Sequence, residues 1–282
     1  MKVRAYAKIN LALKVIGKRE DGFHDLEMIM VNVNVYDVLK FRKSKNVVVN
    51  VDKAVCKMED NIVYKAIMLI KRKYNISYGI RVDISKRIPD GGGMGGGSSD
   101  AACTIKALNK IWNLGMSKED MFEIAGRLGS DVFFFIENKI SFVKGRGELV
   151  EPIDKDFNKD VILVFPDMKC STKYIFENHK MLSSDGEINK LYNELDEDEY
   201  YKFLFNDLEK TVCDLYPDYV LVSFKREIES LFDCKVLMSG SGSSFFVFGK
   251  DINLIYKYAR KKYKNICIVK NKTISSCKSD VK

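Results

Sequence analysis

The chain alternates from its first residues. Val3, Ala5, Ala7, Ile9, Leu11, Leu13 and Val15 recur with period two, which predicts a strand carrying these side chains on one face. Gly17 to Gly22 predicts a turn, and apolar runs predict strands over Leu26–Val35, Val38–Arg42 and Val47–Val51. From Asn61 to about Tyr74 the pattern is helical, with Asp60 or Asn61 as the cap. A strand over Ile80–Ile88 then meets six glycines within seven positions, Gly91, Gly92, Gly93, Gly95, Gly96 and Gly97. A helix from Ser98 to about Trp112 follows, with Ser98, Ser99 and Asp100 available to cap it. Ser117-Lys118-Glu119-Asp120 has the form of a capping box and predicts a helix ending near Gly129. The apolar run Val132–Ile136 predicts a strand, as do Ile140–Val143 and the residues from Glu148 onward.

The polar stretch Asp154–Asp160 predicts a linker, and a domain boundary is placed there, giving 1–155 and 156–282. In the second half, strands are expected over Val161–Phe165, Val236–Met238, Phe245–Phe248 and Ile266–Val269. Helices are expected over 171–179, 187–195, 198–215, 217–232 and Ile252–Lys262. Strands and helices mixed through both halves predict an α+β class.

Composition narrows the setting. The 282 residues are 46% hydrophobic and 30% charged, as a soluble globular chain would be, and no apolar run reaches the ~18 residues of a membrane span. The first residues, Met1-Lys2-Val3-Arg4, enter strand pattern without the apolar core of a secretory signal. The seven cysteines (56, 103, 170, 213, 234, 267, 277) form no C-x-x-C pair and predict buried free thiols in a reducing cytoplasm. With only His24 and His179 as histidines, a zinc site is not expected. The net charge of +8 suits a small anionic substrate, and the basic cluster Lys257 to Lys264 predicts a solvated helix face rather than a nucleic-acid surface.

The glycine run carries the chemistry. Glycine loses more backbone entropy on folding than any other residue, so such a run points to a loop that something approaches closely. A strand, a glycine loop and a helix start together form an anion cradle, with N–H groups pointing outward and the helix dipole adding positive charge. A polyphosphate is its natural occupant. No Lys follows the glycines as in a P-loop, some 90 residues precede them, unlike a Rossmann loop, and H-R-D and D-F-G are absent. Three other segments accompany the loop. Lys8 and Asn10, two apart, share the strand face opposite the alternating apolar set, either as a site or as an ordinary solvent face. Phe23-His24 can grip a flat ring or close a plain turn, and Asp131 is either a partly buried base or a turn Asp.

Pro89-Asp90-Gly91-Gly92-Gly93-Met94-Gly95-Gly96-Gly97-Ser98-Ser99-Asp100-Ala101-Ala102 resembles the phosphate-binding motif of the GHMP kinases. Ala7-Lys8-Ile9-Asn10-Leu11, Gly17 to His24, and Gly240-Ser241-Gly242-Ser243-Ser244 resemble the branch of that family whose acceptor is a cytidine diphosphate derivative of methylerythritol. The resemblance covers essentially the whole chain. It implies an ATP-binding, catalytic N-terminal domain of the ribosomal-protein-S5-domain-2-like type and a ferredoxin-like C-terminal domain. It implies Lys8 and Asp131 as catalytic groups, and ATP with Mg2+ as cofactors. Asn61, Lys86 and Pro89 to Ser99 would bind ATP, with Ser98 and Ser99 near the phosphates or the metal. Asn10, Phe23, His24, Met30, Thr172, Gly240, Ser241 and Gly242 would bind the acceptor. It further implies a cytoplasmic enzyme, monomeric or weakly dimeric, with no nucleic-acid or membrane partner. The chain departs from the family pattern at Phe23, where Tyr is commoner, at Met30, where many members have an aromatic, and at Phe133, where Pro often follows Val. The competing expectations are a sister kinase for another small alcohol, such as mevalonate or homoserine, and a catalytically silent nucleotide- or RNA-binding module.

Overall fold

The computed structural model describes residues 1–53, 57–180 and 187–276; Cys56 and Cys277 lie outside the described residues. In chain order the elements begin with strands β1 (Lys2–Lys18), β2 (His24–Ser44) and β3 (Val48–Val51), then helix α1 (Ile62–Lys73) and β4 (Gly79–Ser85). Helices α2 (Gly96–Ile111), α3 (Lys118–Gly126) and α4 (Asp131–Glu137) precede β5 (Ser141–Gly145), β6 (Leu149–Pro152) and β7 (Asp160–Phe165). There follow α5 (Thr172–Asn178), α6 (Ile188–Glu194), β8 (Phe205–Asn206), α7 (Asp207–Leu215) and α8 (Val220–Leu231). The chain closes with β9 (Cys234–Met238), β10 (Phe245–Gly249), α9 (Ile252–Lys262) and β11 (Cys267–Ile274).

The long β2 organises the sheet: it pairs with β1, β4, β5 and β11. From β2 the order continues β11-β7-β10-β9. β11 thus joins the two halves, pairing with β2 at Thr273 and Ile274 and with β7 from Cys267 to Lys272. The short β8 adds a parallel pairing with β1 at Ala12 and Leu13.

The apolar alternation of β1 does not keep to one face. The register shifts between Tyr6 and Ala7 and again between Asn10 and Ala12. Val3, Ala5, Leu13 and Val15 therefore pack in one core cluster, while Ala7, Ile9, Leu11 and Ala12 pack in another. A bulge at Leu11 puts two successive side chains on the same side, which period-two counting cannot foresee.

Other differences have equally local causes. Leu26–Val35 and Val38–Arg42 are one strand, with the irregularity absorbed opposite Tyr6 and Ala7. Val132–Ile136 is helix α4, not strand; its five apolar residues carry no period, and Val132, Phe134, Phe135 and Ile136 are buried. The expected helix over 198–215 is a short 3-10 turn at Tyr200–Phe203, then β8, then α7 capped by Asn206. α2 begins at Gly96 with Gly95 as its N-cap, so Ser98, Ser99 and Asp100 lie inside the helix rather than capping it. The Ser117–Asp120 capping box is present, with both reciprocal bonds made. Among the described cysteines all are free thiols, but only Cys170 is buried, and Cys267 is exposed.

Candidate active site

Lys8 and Asn10 leave β1 on a common side and are buried, 4% and 1% exposed. The Lys8 ammonium donates to Asn10 Oδ1 at 2.8 Å and stands 3.6 Å from Asp131 Oδ2. Asn10 donates in turn to the Met28 sulfur at 3.3 Å, which fixes its amide so that the oxygen faces Lys8. A buried ammonium without such partners would be strongly destabilising. Asp131 is the first residue of α4, and about one-third of its side chain is exposed. A carboxylate next to a buried ammonium, yet open on one side, is placed to meet a reactant.

The glycine loop is laced onto this pair. The backbone N–H of Lys8 donates to Met94 O at 3.1 Å, so the loop runs along the edge of β1. Gly95 takes the left-handed conformation, φ 69°, and a Cβ there would stand 2.7 Å from the Phe135 ring and 3.4 Å from Asp131 Oδ2. Only glycine lets helix α2 start this close to the carboxylate. A second glycine-serine loop, residues 239–244, packs on the first. Ser239 Oγ donates to Gly93 O at 3.2 Å and Ser244 N to Gly92 O at 3.2 Å. A Cβ on Gly93 would meet Ser239 O at 2.2 Å. Asn206 holds this second loop by donating to Met238 O and Gly240 O, both at 2.8 Å. A Cβ on Gly240 would come within 3.3 Å of the Lys8 ammonium, so the second loop reaches the same pair.

From there the contacts continue outward. Ser241 Oγ and Thr172 Oγ1 are 2.8 Å apart, and Thr172 opens helix α5. Four residues along α5, Phe176 stacks on His24 with ring centroids 5.1 Å apart and planes at 30°. Phe23 is 53% exposed, and the Arg146 guanidinium lies 4.8 Å from its ring centre. Arg19 anchors the turn through Asp25 at 2.6 Å and Asp21 at 3.2 Å. Phe176 and Arg146 were not among the residues singled out from the sequence. Phe176 lies one helical turn beyond Thr172, a spacing that could have brought it into view; Arg146 sits in a tight turn that carries no such signal.

Of the other selected residues, some face the core and some are engaged by local partners. Met30 is fully buried in the core and presents no surface to a ligand. Met94 (1% exposed) and Ser99 (1%) also face inward, so Met94 serves the site through its carbonyl, and of the two serines only Ser98 retains surface. Asn61 caps α1, its Oδ1 accepting from Val63 N at 2.8 Å. Lys86 is engaged by two carboxylates, Asp37 and Asp100. A cavity of about 420 Å³ opens beside Lys14, Glu27, Phe142 and the start of α6, and none of the selected residues lines it.

A family model described as the N-terminal domain of GHMP kinases matches residues 61–139. A homoserine kinase from Cytophaga hutchinsonii has the same fold, with a TM-score of 0.73 at 17% identity over 98% of this chain and 95% of that one. The fold is that of a GHMP kinase. A solved 4-(cytidine 5'-diphospho)-2C-methyl-D-erythritol kinase superposes with a TM-score of 0.81 at 27% identity over 97% of this chain and 99% of its own. The 4-diphosphocytidyl-2-C-methyl-D-erythritol kinase of Thermoanaerobacter pseudethanolicus is 40% identical over 91% of this chain and 90% of its own. That of Thermodesulfovibrio yellowstonii is 38% identical over 86% and 87%. The chain belongs to the 4-diphosphocytidyl-2-C-methyl-D-erythritol kinase family.

The His24 ring gives a direct check on this geometry. Burial first, and Lys18 second, hold its pKa below the ordinary 6.5. The neutral ring is therefore favoured by folding. That contribution is fully present above pH 6.5 and is lost as the pH falls through the lowered folded value. A titration followed by NMR should give a His24 midpoint below 6.5, moving upward when Lys18 is replaced by Gln.

Proposed function

We propose that the chain is an ATP-dependent kinase that phosphorylates the 2-hydroxyl of 4-diphosphocytidyl-2-C-methyl-D-erythritol, an alcohol-directed phosphotransferase of isoprenoid precursor synthesis. The observation that carries this reading is the convergence of Lys8, Asp131 and the Gly95 cap on one point. Residues 1–155 supply the nucleotide loop and the catalytic pair, and 156–282 supply the second glycine-serine loop and α5.

The chemistry follows from those positions. An alcohol is a poor nucleophile near neutral pH. The Asp131 carboxylate accepts its proton as the oxygen–phosphorus bond forms and the bond between the β-phosphate oxygen and the γ-phosphorus breaks, releasing ADP. Lys8, held by Asn10, stabilises charge on the acceptor oxygen and the moving phosphoryl group. Backbone N–H groups of the glycine loop and the first turn of α2 hold the triphosphate. Among the described residues no three His, Cys, Asp or Glu side chains cluster as a metal cage. The donors present fit a Mg2+ bound chiefly through phosphate oxygens, with the Ser98 hydroxyl as a protein ligand. Such an ion would neutralise phosphate charge. The cytosine is received at His24, Phe23 and Phe176: rings supply stacking, and the neutral imidazole supplies edge hydrogen bonds that a wrong base leaves unmatched. A cytoplasmic setting agrees with the use of ATP and with the unpaired thiols of the described cysteines.

In a coupled assay of ADP release, Asp131→Asn should lower turnover by about 100-fold or more while ATP-analogue affinity stays within about twofold. Near-normal turnover would remove Asp131 from the mechanism. Phe176→Ala should raise KM for the acceptor by about tenfold, the scale of one lost aromatic stack, and leave KM for ATP unchanged. An equal rise in both would contradict the cytosine assignment.

A further inference from the structure

Beneath the glycine loop lies a charged network that the reaction as described does not use. Asp37, on β2, is completely buried. Its Oδ1 accepts the backbone N–H groups of Arg87 and Ile88, the latter at 2.9 Å, where the chain leaves β4 for the loop. Its Oδ2 accepts from the Lys86 ammonium, which donates also to Asp100 Oδ2, in the second turn of α2, at 2.8 Å. A Cβ on Gly96 would stand 3.4 Å from that ammonium and 3.0 Å from the Ile88 side chain. One side chain from the central strand thus ties together the loop's approach and, through Lys86, the start of the helix.

We infer that Asp37 is a positioning residue for the nucleotide: it fixes the approach to the glycine loop and the Lys86 ammonium, so that the first turn of α2 is aimed at the triphosphate. Three features support this over a purely structural ion pair. The two bonds from Arg87 and Ile88 fall immediately before Pro89 and the glycines, where the backbone itself offers least restraint. Lys86 ties Asp37 on the strand to Asp100 on the helix, so a displaced Asp37 disturbs the tie at both ends. Asp100 Oδ1 is buried and has no hydrogen-bond partner, so the helix end is held from the Lys86 side through Oδ2. Burial opposes the Lys86 charge, but Asp100 and Asp37 outweigh it and keep the amine protonated.

The inference rests on the reading that ATP occupies the glycine loop, and the test separates the two. Affinity for a non-hydrolysable ATP analogue is measured by calorimetry, and both KM values by the ADP-release assay, for the wild type, Asp37→Asn and Asp37→Ala. Thermal unfolding reports whether each variant is folded. Asp37→Asn keeps an oxygen for the backbone N–H groups and loses the charge toward Lys86; Asp37→Ala loses both. The expected result is a KM for ATP raised about tenfold or more in Asp37→Ala, and less in Asp37→Asn, with KM for the acceptor within about twofold. Should Asp37→Ala not fold, Asp37→Asn decides the matter alone. Folded variants with unchanged ATP affinity overturn the assignment, as does an equal rise in both KM values. A wild-type protein that binds no ATP analogue overturns the kinase reading instead.

Discussion

A lysine buried as deeply as Lys8 persists only because its charge is matched. Asn10 accepts from it within the same strand, and Asp131 faces it from the first residue of α4. This pairing sets much of the surrounding architecture. It requires β1 to turn Lys8 and Asn10 inward, which the irregular register with β2 allows. It requires α4 to begin at Asp131, and the buried aromatic side of α4 to pack inward so that the carboxylate stays at the rim. The Lys8 backbone then anchors Met94, which seats the glycine loop against the pair.

The second constraint is close approach. The two glycine loops touch through backbone and serine oxygens at distances that leave no room for a Cβ on Gly93. Their contact brings residues from both halves of the chain to one place, and β11 holds those halves in one continuous sheet. From this junction the contacts run through Ser241 and Thr172 to α5, and so to the His24–Phe176 stack. The two glycine loops and the His24–Phe176 stack therefore share a scaffold.

Much of this was legible in the sequence where the signal is local. The cap at Asn61, the capping box at Ser117 and the strand–glycine–helix order are properties of neighbouring residues, and each is present. Orientation was less legible. The family resemblance marked Met30, Met94 and Ser99 as site residues, yet all three side chains face the core, because a motif records neighbourhood along the chain and not the direction of a side chain. The bulge in β1 and the helical state of α4 depend on tertiary packing: a two-residue period cannot show an inserted residue, and an unbroken apolar run has no period to read. Phe176 and Arg146 meet His24 and Phe23 across long stretches of sequence, so only the folded chain brings them together.

The most direct measurement is a crystal structure with a non-hydrolysable ATP analogue and the diphosphocytidyl acceptor bound together. The account predicts the acceptor hydroxyl within hydrogen-bonding reach of the Asp131 carboxylate, in line with the γ-phosphate, and the Lys8 ammonium beside the same oxygen. A hydroxyl seated away from Asp131, or a triphosphate that avoids the glycine loop, would contradict it.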